Sequence, residues 1–292
     1  MHRIQLPFHY ELNHAYVHLV PWEDGWILVD TGFGSDTSWR ALCAALAERG
    51  IGWREIHTVV LTHGHPDHMG NAPRVVAESG ARLWFHPREA EYLRRLSSPP
   101  RPNADLIRWG SPRDMVDRVA EAARDTGQYF RPLVPDVPID DGMRVGPFTA
   151  VWTPGHASGH LCLWDPTERV LIAGDHVLPR ITPHVAWVEG EDALGNFLAS
   201  LERVSKLPAA SVLPSHGDPF ADLAGRCREI AAHHAERCSE IRGHFEGGAR
   251  TPHELAQLMW RREGSSLSPF QYLFAMYEVA AHLAHMGLPC EG

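Results

Sequence analysis

Lysine is almost missing from this chain. Lys206 is its only one, so the remaining basic residues among the 27 are arginines, a bias that reads as coding composition rather than chemistry. Acidic residues outnumber them at 36, and the net charge of -9 gives no general attraction to a polyanion. A nucleic-acid partner would need a local basic groove. Cysteine is scarce as well. Cys43, Cys162, Cys227, Cys238 and Cys290 are odd in number, far apart and without a Cys-x-x-Cys pair, which excludes a disulfide framework and a thiolate metal site. They read as small buried apolar residues in a reducing compartment. No uncharged run is long enough to span a bilayer, and Met1 to Tyr10 has no apolar signal core, so the expectation is a soluble, cytoplasmic protein without a membrane partner. Two catalytic signatures are absent too: a Gly-x-Ser-x-Gly elbow and a His-Glu-x-x-His helix. Gly32-Phe33-Gly34 starts like a dinucleotide fingerprint, but Thr37 stands where its third glycine belongs.

Histidine, by contrast, is abundant at 20 residues, so a lone histidine says little. One stretch stands out: Thr62-His63-Gly64-His65-Pro66-Asp67-His68-Met69-Gly70. It follows the β-branched, apolar run Ile56 to Leu61, so His63, His65, Asp67 and His68 sit where a buried strand ends. Imidazole and carboxylate suit borderline divalent metals, and these four offer more ligands than one tetrahedral ion can take. The excess suggests two metals.

The chain's 292 residues, 44% of them hydrophobic, support one large core with an appendage. Ala15 to Val20 and Gly25 to Asp30 read as strands joined by a turn at 21 to 24. Asp30 either orients a metal ligand or serves a turn into the helix that begins near Ser35 or Asp36 and stops at Gly50. Asn71 to Ser79 reads as a helix and Arg82 to Phe85 as a strand, an alternation typical of layered α/β domains. Residues 87 to 138 form a helical insertion, broken at Ser97 to Pro102 and at Arg131-Pro132, that suits a lid or pocket wall as well as a solvated excursion. Beyond it, strands at Phe148 to Trp152, Leu161 to Trp164, Val170 to Ala173 and Ser211 to Pro214 are expected, with a helix at Asp192 to Leu207. Three of them run into Thr153-Pro154-Gly155-His156, Gly174-Asp175-His176 and Ser215-His216-Gly217.

These ordered motifs, His63-x-His65-x-Asp67-His68, then His156, Asp175 and His216, resemble the metallo-β-lactamase superfamily of metallohydrolases. The resemblance covers residues 1 to about 220. It implies an αββα sandwich, two sheets face to face with helices outside, and a dinuclear centre at the strand ends. Carried over position by position, His63, His65 and His156 hold one metal, Asp67, His68 and His216 the other, and Asp175 bridges them; no ligand position is missing. Zinc is the expected metal. Relatives resembling glyoxalase II tolerate iron or manganese with the same ligands. His65 stands where the oxygen-reducing flavodiiron branch has a glutamate, which argues against that chemistry.

Such a centre implies hydrolysis through a metal-bridging hydroxide. Two divalent ions bring four positive charges, Asp67, Asp175 and the hydroxide return three, and the surplus favours an oxyanion. Asp67 is a further candidate for moving a proton to the leaving group. His176 and His184 either line the pocket or serve as loop hydrogen-bonding groups, His160 is expected beside the ligands or packed, and Trp152, Trp164 and Trp187 fill the sandwich or pocket wall.

The C-terminal region, 221 to 292, is expected to be helical. Leu223, Cys227, Ile230, His234, Cys238, Ile241 and Phe245 mark one long helix ended by Gly247-Gly248. Thr251-Pro252-His253-Glu254 opens a second helix with Leu255, Leu258 and Met259 inward, and Ser268-Pro269 a third with Phe270, Leu273, Phe274, Tyr277, Ala281 and Ala284 on one face. This tail resembles the winged-helix-like appendage of members related to a human β-lactamase-like endoribonuclease. Gln271 to His285 contains no Arg or Lys, however, and Arg261-Arg262 is the tail's one adjacent basic pair. The favoured function is therefore cleavage of a small acyl substrate (thioester, ester or lactone). An endoribonuclease or phosphodiesterase is the rival, and a metal-binding sensor without significant turnover the third reading. Tail and insertion would cover the site or form a homodimer contact.

Overall fold

A computed structural model describes residues 1–9, 12–96, 102–127, 132–260 and 267–290. The first sheet runs β1 (His2–Pro7), β2 (His14–Trp22), β3 (Gly25–Val29), β4 (Ile56–Val60), β5 (Arg82–Phe85) and β6 (Val137–Pro138), in that spatial order. Its first three strands are antiparallel and the rest parallel. The second sheet orders β11 (Ser211–Pro214), β10 (Val170–Gly174), β9 (Leu161–Asp165), β8 (Phe148–Trp152) and β7 (Arg144–Val145). β10 and β11 pair in parallel and the others antiparallel, so β8, β10 and β11 all point the same way.

Period-two alternation builds the sandwich. Ile27 and Val29 of β3, Val60 of β4, Leu161 and Leu163 of β9 and Ile172 of β10 meet in one cluster between the sheets. The intervening residues face outward and are buried too: Leu28 and Val59 under α1 (Asp36–Glu48) and α3 (Ala72–Ser79), Cys162 and Leu171 under α7 (Ala193–Val204) and α8 (Leu223–Glu246). Both faces of each sheet are covered, which is why these strands read as continuous apolar runs. The αββα sandwich expected from the sequence is therefore present.

The insertion carries α4 (Pro87–Leu96), α5 (Pro102–Arg108) and α6 (Arg113–Gly127); the tail adds α9 (Pro252–Trp260) and α10 (Pro269–His285). These are one unit rather than two. Leu106, Trp109, Val116 and Val119 of the insertion share a core with Ile241, Leu255, Tyr272, Met276, Val279 and Leu283 of the tail. Tyr272 Oη donates to Ser111 Oγ at 2.7 Å and Tyr277 Oη to Asp105 Oδ2 at 3.0 Å, closing the same seam. Among the described residues the tail contains no strand, so its likeness to a winged helix stops at the helices.

Several local expectations need correction. The buried residues of α10 are Tyr272, Ala275, Met276, Val279, Ala280, Ala281, His282 and Leu283; of the face read from the sequence Ala281 is among them, whereas Phe274 is 52% exposed. That helix is apolar nearly all round, so periodicity alone does not choose its face; the helices packed on it do. Leu258 of α9 is also exposed, and Cys238 and Phe245 of α8 are half-buried. β1, β6 and β7 have no counterpart among the strands read from the sequence, the last two because each is a two-residue pairing. The break at 97–102 lies outside the described residues except for Pro102, that at 131–132 except for Pro132, and Arg261-Arg262 lies outside them entirely. No helix among the described residues is long and apolar enough to cross a membrane.

Candidate functional site

β4 ends at Val60, and the chain bends at Thr62 and Gly64, placing His63 and His65, before Pro66 starts the single helical turn α2 (Pro66–Met69), which presents Asp67 and His68. His156 follows β8, Asp175 follows β10 and His216 follows β11. Because those three strands run in the same direction, their ends share one rim, and β4 delivers its turn to the same place. The seven residues expected as ligands, His63, His65, Asp67, His68, His156, Asp175 and His216, all come together on this rim.

Three imidazole nitrogens converge first. His63 Nε2 lies 2.9 Å from His65 Nδ1, and His156 Nε2 lies 3.0 Å from His65 Nδ1 and 3.3 Å from His63 Nε2. Beside them, His216 Nε2 is 3.3 Å and His68 Nε2 3.6 Å from Asp67 Oδ2. Asp175 stands between the two groups: its Oδ1 is 3.5 Å from His68 Nε2, and its Oδ2 is 3.4 Å from His216 Nε2 and 3.8 Å from His156 Nε2. The trios His63/His65/His156, His63/His68/Asp175 and Asp67/His68/His216 each keep their ligand atoms within 4.8 Å of one another, so each could hold a metal ion.

The donor set fits divalent cations on a second count. His68 Nε2, Asp175 Oδ1 and His216 Nε2 are buried without a hydrogen-bond partner. Such an atom costs about 1 to 3 kcal/mol when left unsatisfied. Borderline divalent ions accept this mixture of imidazole and carboxylate, and two of them would satisfy all three atoms.

The far nitrogens of the rings are tied down. His63 Nδ1 donates to Thr62 Oγ1 at 3.1 Å, Thr62 Oγ1 donates to Asp30 Oδ2 at 2.8 Å, and His68 Nδ1 donates to the same Asp30 oxygen at 2.8 Å. Asp30 thus orients two of the candidate ligands, His68 directly and His63 through Thr62, rather than serving only the turn. His156 Nδ1 donates to the His184 carbonyl at 2.7 Å, and His216 Nδ1 to the His14 carbonyl at 2.9 Å. Each bond orients its ring so that the inner nitrogen faces the cluster.

Charge within the cluster is sharply sorted. Burial, aided by the charge of neighbouring rings, holds His63 and His65 below the ordinary histidine value, His65 at about 3. Burial also lowers His156, against the pull of Asp175. Burial alone would raise both aspartates. His68 and His216 outweigh it, so Asp67 ionises at about 2 and Asp175 well below its usual range. In turn Asp175 and Asp67 overcome burial to raise His216 to about 10 and, with Asp30, to hold His68 well above 6.5.

The remaining expected residues take structural places. His160 Nε2 accepts the backbone N–H of Asp175 at 3.1 Å. His176 is fully buried with its ring against Phe197, and His184 reaches the tail by donating Nε2–H to the Phe274 carbonyl at 2.9 Å. Trp164 and Trp187 pack in the outer cores, and Trp152 stacks on His86. Two positions escaped sequence reasoning. Arg3 donates from Nη2 to the carbonyls of Pro214 and Gly217, bracketing His216. Glu89, buried in α4, accepts from backbone amides of two ligand-bearing turns; burial raises it to about 7 despite those bonds. Both act through backbone groups that every residue carries, so no motif announces them.

A family model described as metallo-beta-lactamase superfamily matches residues 14–216. The chain is 30% identical over 220 residues to the lactamase-like protein adaB of Aspergillus niger, a match covering 74% of this chain and 53% of that protein. It is 28% identical over 216 residues to the atrochrysone carboxyl ACP thioesterase of Claviceps purpurea, covering 74% and 54%. This chain spans about half the length of these fungal relatives. Among solved structures, the metallo-beta-lactamase family protein TTHA1429 of Thermus thermophilus superposes with a TM-score of 0.84 at 30% identity, covering 98% of this chain and 93% of that one.

Proposed function

The chain belongs to the metallo-β-lactamase superfamily, and on that premise we propose that it is a metal-dependent hydrolase of small acyl substrates, thioesters foremost, with esters and lactones as neighbours in chemistry. The observation that carries this reading is the meeting of His63, His65, Asp67, His68, His156, Asp175 and His216 on one rim, with three of their buried atoms unsatisfied.

His63, His65 and His156 would hold one cation, Asp67, His68 and His216 the other, and Asp175 would face both. Zinc suits the ligands best, with iron or manganese as alternatives. When bound, such ions polarise a carbonyl oxygen and acidify water to a pKa near 7. The chain's own residues supply the rest. Against the four positive charges of two cations, Asp67 and Asp175 return two, so the centre stays cationic where negative charge grows on the substrate carbonyl oxygen. Asp67 and Asp175 are both held ionised. Asp67 is then a weak base whose part is to orient the attacking water and pass its proton on. An amide nitrogen must be protonated as it leaves, and Asp67 and Asp175, both held ionised, carry no proton to give it. A thiolate, with a parent pKa of about 8.5, leaves without that help.

The thioesterase from Claviceps purpurea supports the same class of reaction. An endoribonuclease activity is disfavoured by the net charge of -9 and by the lack of Arg and Lys between Gln271 and His285. The test is turnover of the metal-loaded chain on acyl-pantetheine thioesters, lactones, aryl esters, β-lactams and bis-aryl phosphodiesters. Thioesters should show the highest kcat/KM. A phosphodiester preference would establish the rival nuclease reading, and no turnover of any probe would favour a sensor.

A further inference from the structure

α4 opens the insertion, and its first turn places a carboxylate where solvent does not reach: Glu89 is 1% exposed. Its Oε2 accepts the Gly64 N–H at 2.7 Å and its Oε1 the Gly159 N–H at 2.6 Å. Gly64 lies between His63 and His65, in the turn that leaves the first sheet. Gly159 lies three residues after His156 and directly before His160, in the turn that joins two strands of the second sheet. One side chain therefore fastens together the two turns that supply the three-histidine trio. The approach is close enough to constrain sequence. A Cβ at Gly64 would lie 2.7 Å from Glu89 Oε2, and one at Gly159 would lie 2.9 Å from Glu89 Cγ and its backbone nitrogen. Neither position has room for a side chain while Glu89 occupies this place.

A buried carboxylate is expensive to desolvate, and a methyl or amide group would fill the same space at lower cost. What those groups lack is two acceptor oxygens that draw two N–H donors toward one charge. We propose that Glu89 is a positioning residue that sets the distance between the His63–His65 turn and the His156 turn, and thereby the affinity of the three-histidine site for its cation. The proposal rests on reading the cluster as a metal centre, and it makes the insertion part of that centre rather than only a cover over it. Ligand placement is sensitive to supporting hydrogen bonds, whose loss typically weakens metal binding roughly 10- to 100-fold.

The experiment is an equilibrium Zn(II) titration of the chelator-stripped 292-residue chain against a chromophoric competitor, with Co(II) absorption as a second readout. Glu89→Gln keeps the shape but turns one acceptor into an N–H group facing an N–H group. It should lose roughly 10- to 100-fold in affinity at one of two sites and leave the other unchanged. Glu89→Asp keeps both oxygens on a stem one methylene shorter and should recover part of the loss; it carries the test if the Gln variant does not fold. Glu191→Gln is the control. Glu191 Oε2 accepts from Ser158 Oγ at 3.0 Å on the same turn, through a side chain only, so that variant should match wild type. Wild-type affinity at both sites in Glu89→Gln, or an equal loss in Glu191→Gln, would overturn the proposal. A wild-type chain that binds no cation would remove the metal-centre reading and this proposal with it, whereas two bound cations without thioester turnover would leave it standing.

Discussion

Asp30 and His68, 38 residues apart in sequence, meet at 2.8 Å through Asp30 Oδ2 and the Nδ1–H of His68. The aspartate reaches that position from a left-handed backbone at the end of β3, with φ of +59°, an uncommon conformation for a residue with a side chain. Its other oxygen accepts the Thr62 N–H at 2.8 Å, so a single carboxylate holds the turn and orients one ligand directly and a second through Thr62. Asp30→Ala is expected to weaken metal binding roughly 10- to 100-fold while the chain remains folded. Isothermal titration on the stripped protein measures it, and an unchanged affinity would detach Asp30 from the centre.

Asp175 approaches His156 of the three-histidine trio as well as His68 and His216 of the other group, so its removal should be felt by both. In Asp175→Ala the expected outcome is a fall from two bound cations to one or none, and a loss of roughly 10²- to 10³-fold in kcat/KM, because the cations that would stabilise the developing negative charge are no longer held. Elemental analysis and initial rates on the best thioester measure the two effects. Two retained cations with wild-type turnover would contradict the position assigned to this residue.

The helical lobe should not separate into insertion and tail. A chain ending at residue 220 would strip the cover from Leu106, Trp109, Val116 and Val119, all at most 1% exposed in the full chain. It is expected to aggregate, and the full chain with Met276→Ala to lose roughly 2 to 5 kcal/mol in urea titrations. A soluble, cooperatively folding 1–220 fragment would show that the sandwich is self-sufficient.

His234 and His282 form a buried pair between α8 and α10, with His234 Nδ1 3.2 Å from His282 Nε2. Burial, then the charge of its partner, lowers His234 to about 3. An unfolded chain takes up a proton at this histidine below its free pKa of about 6.5, and the folded chain refuses it until far lower. Stability is therefore full above pH 6.5 and falls as the pH drops toward 3, by at most about 1.4 kcal/mol per pH unit from this residue. Denaturant titrations between pH 7.5 and 5 should show a shallower decline for His234→Gln than for wild type. Parallel declines would place the acid sensitivity elsewhere.

The cluster was legible from sequence because candidate metal ligands are side chains. His63, His65, Asp67 and His68 announce themselves by spacing, and His156, Asp175 and His216 by their place after apolar strands. The sandwich was legible for a related reason, since strands buried on both faces read as unbroken runs such as Leu161 to Trp164. Elsewhere the signal was missing in physical terms. Glu89 and Arg3 work on amides and carbonyls, which carry no residue identity. The face of α10 was ambiguous because Tyr272, Leu273, Phe274, Ala275 and Met276 are consecutive and all apolar. The core shared by insertion and tail joins Trp109 to Tyr272 and Met276, and no local pattern encodes a pairing over that distance.

The central claim is that two cations sit between these four strand ends, and anomalous diffraction from crystals grown with Zn(II), collected at the zinc edge, tests it most directly. Two peaks per chain are expected, one about 2.0 to 2.2 Å from His63 Nε2, His65 Nδ1 and His156 Nε2, the other at the same distance from Asp67, His68 and His216, with Asp175 reaching both. No peak on this rim, or a lone peak that leaves His68 and His216 bare, would contradict the account.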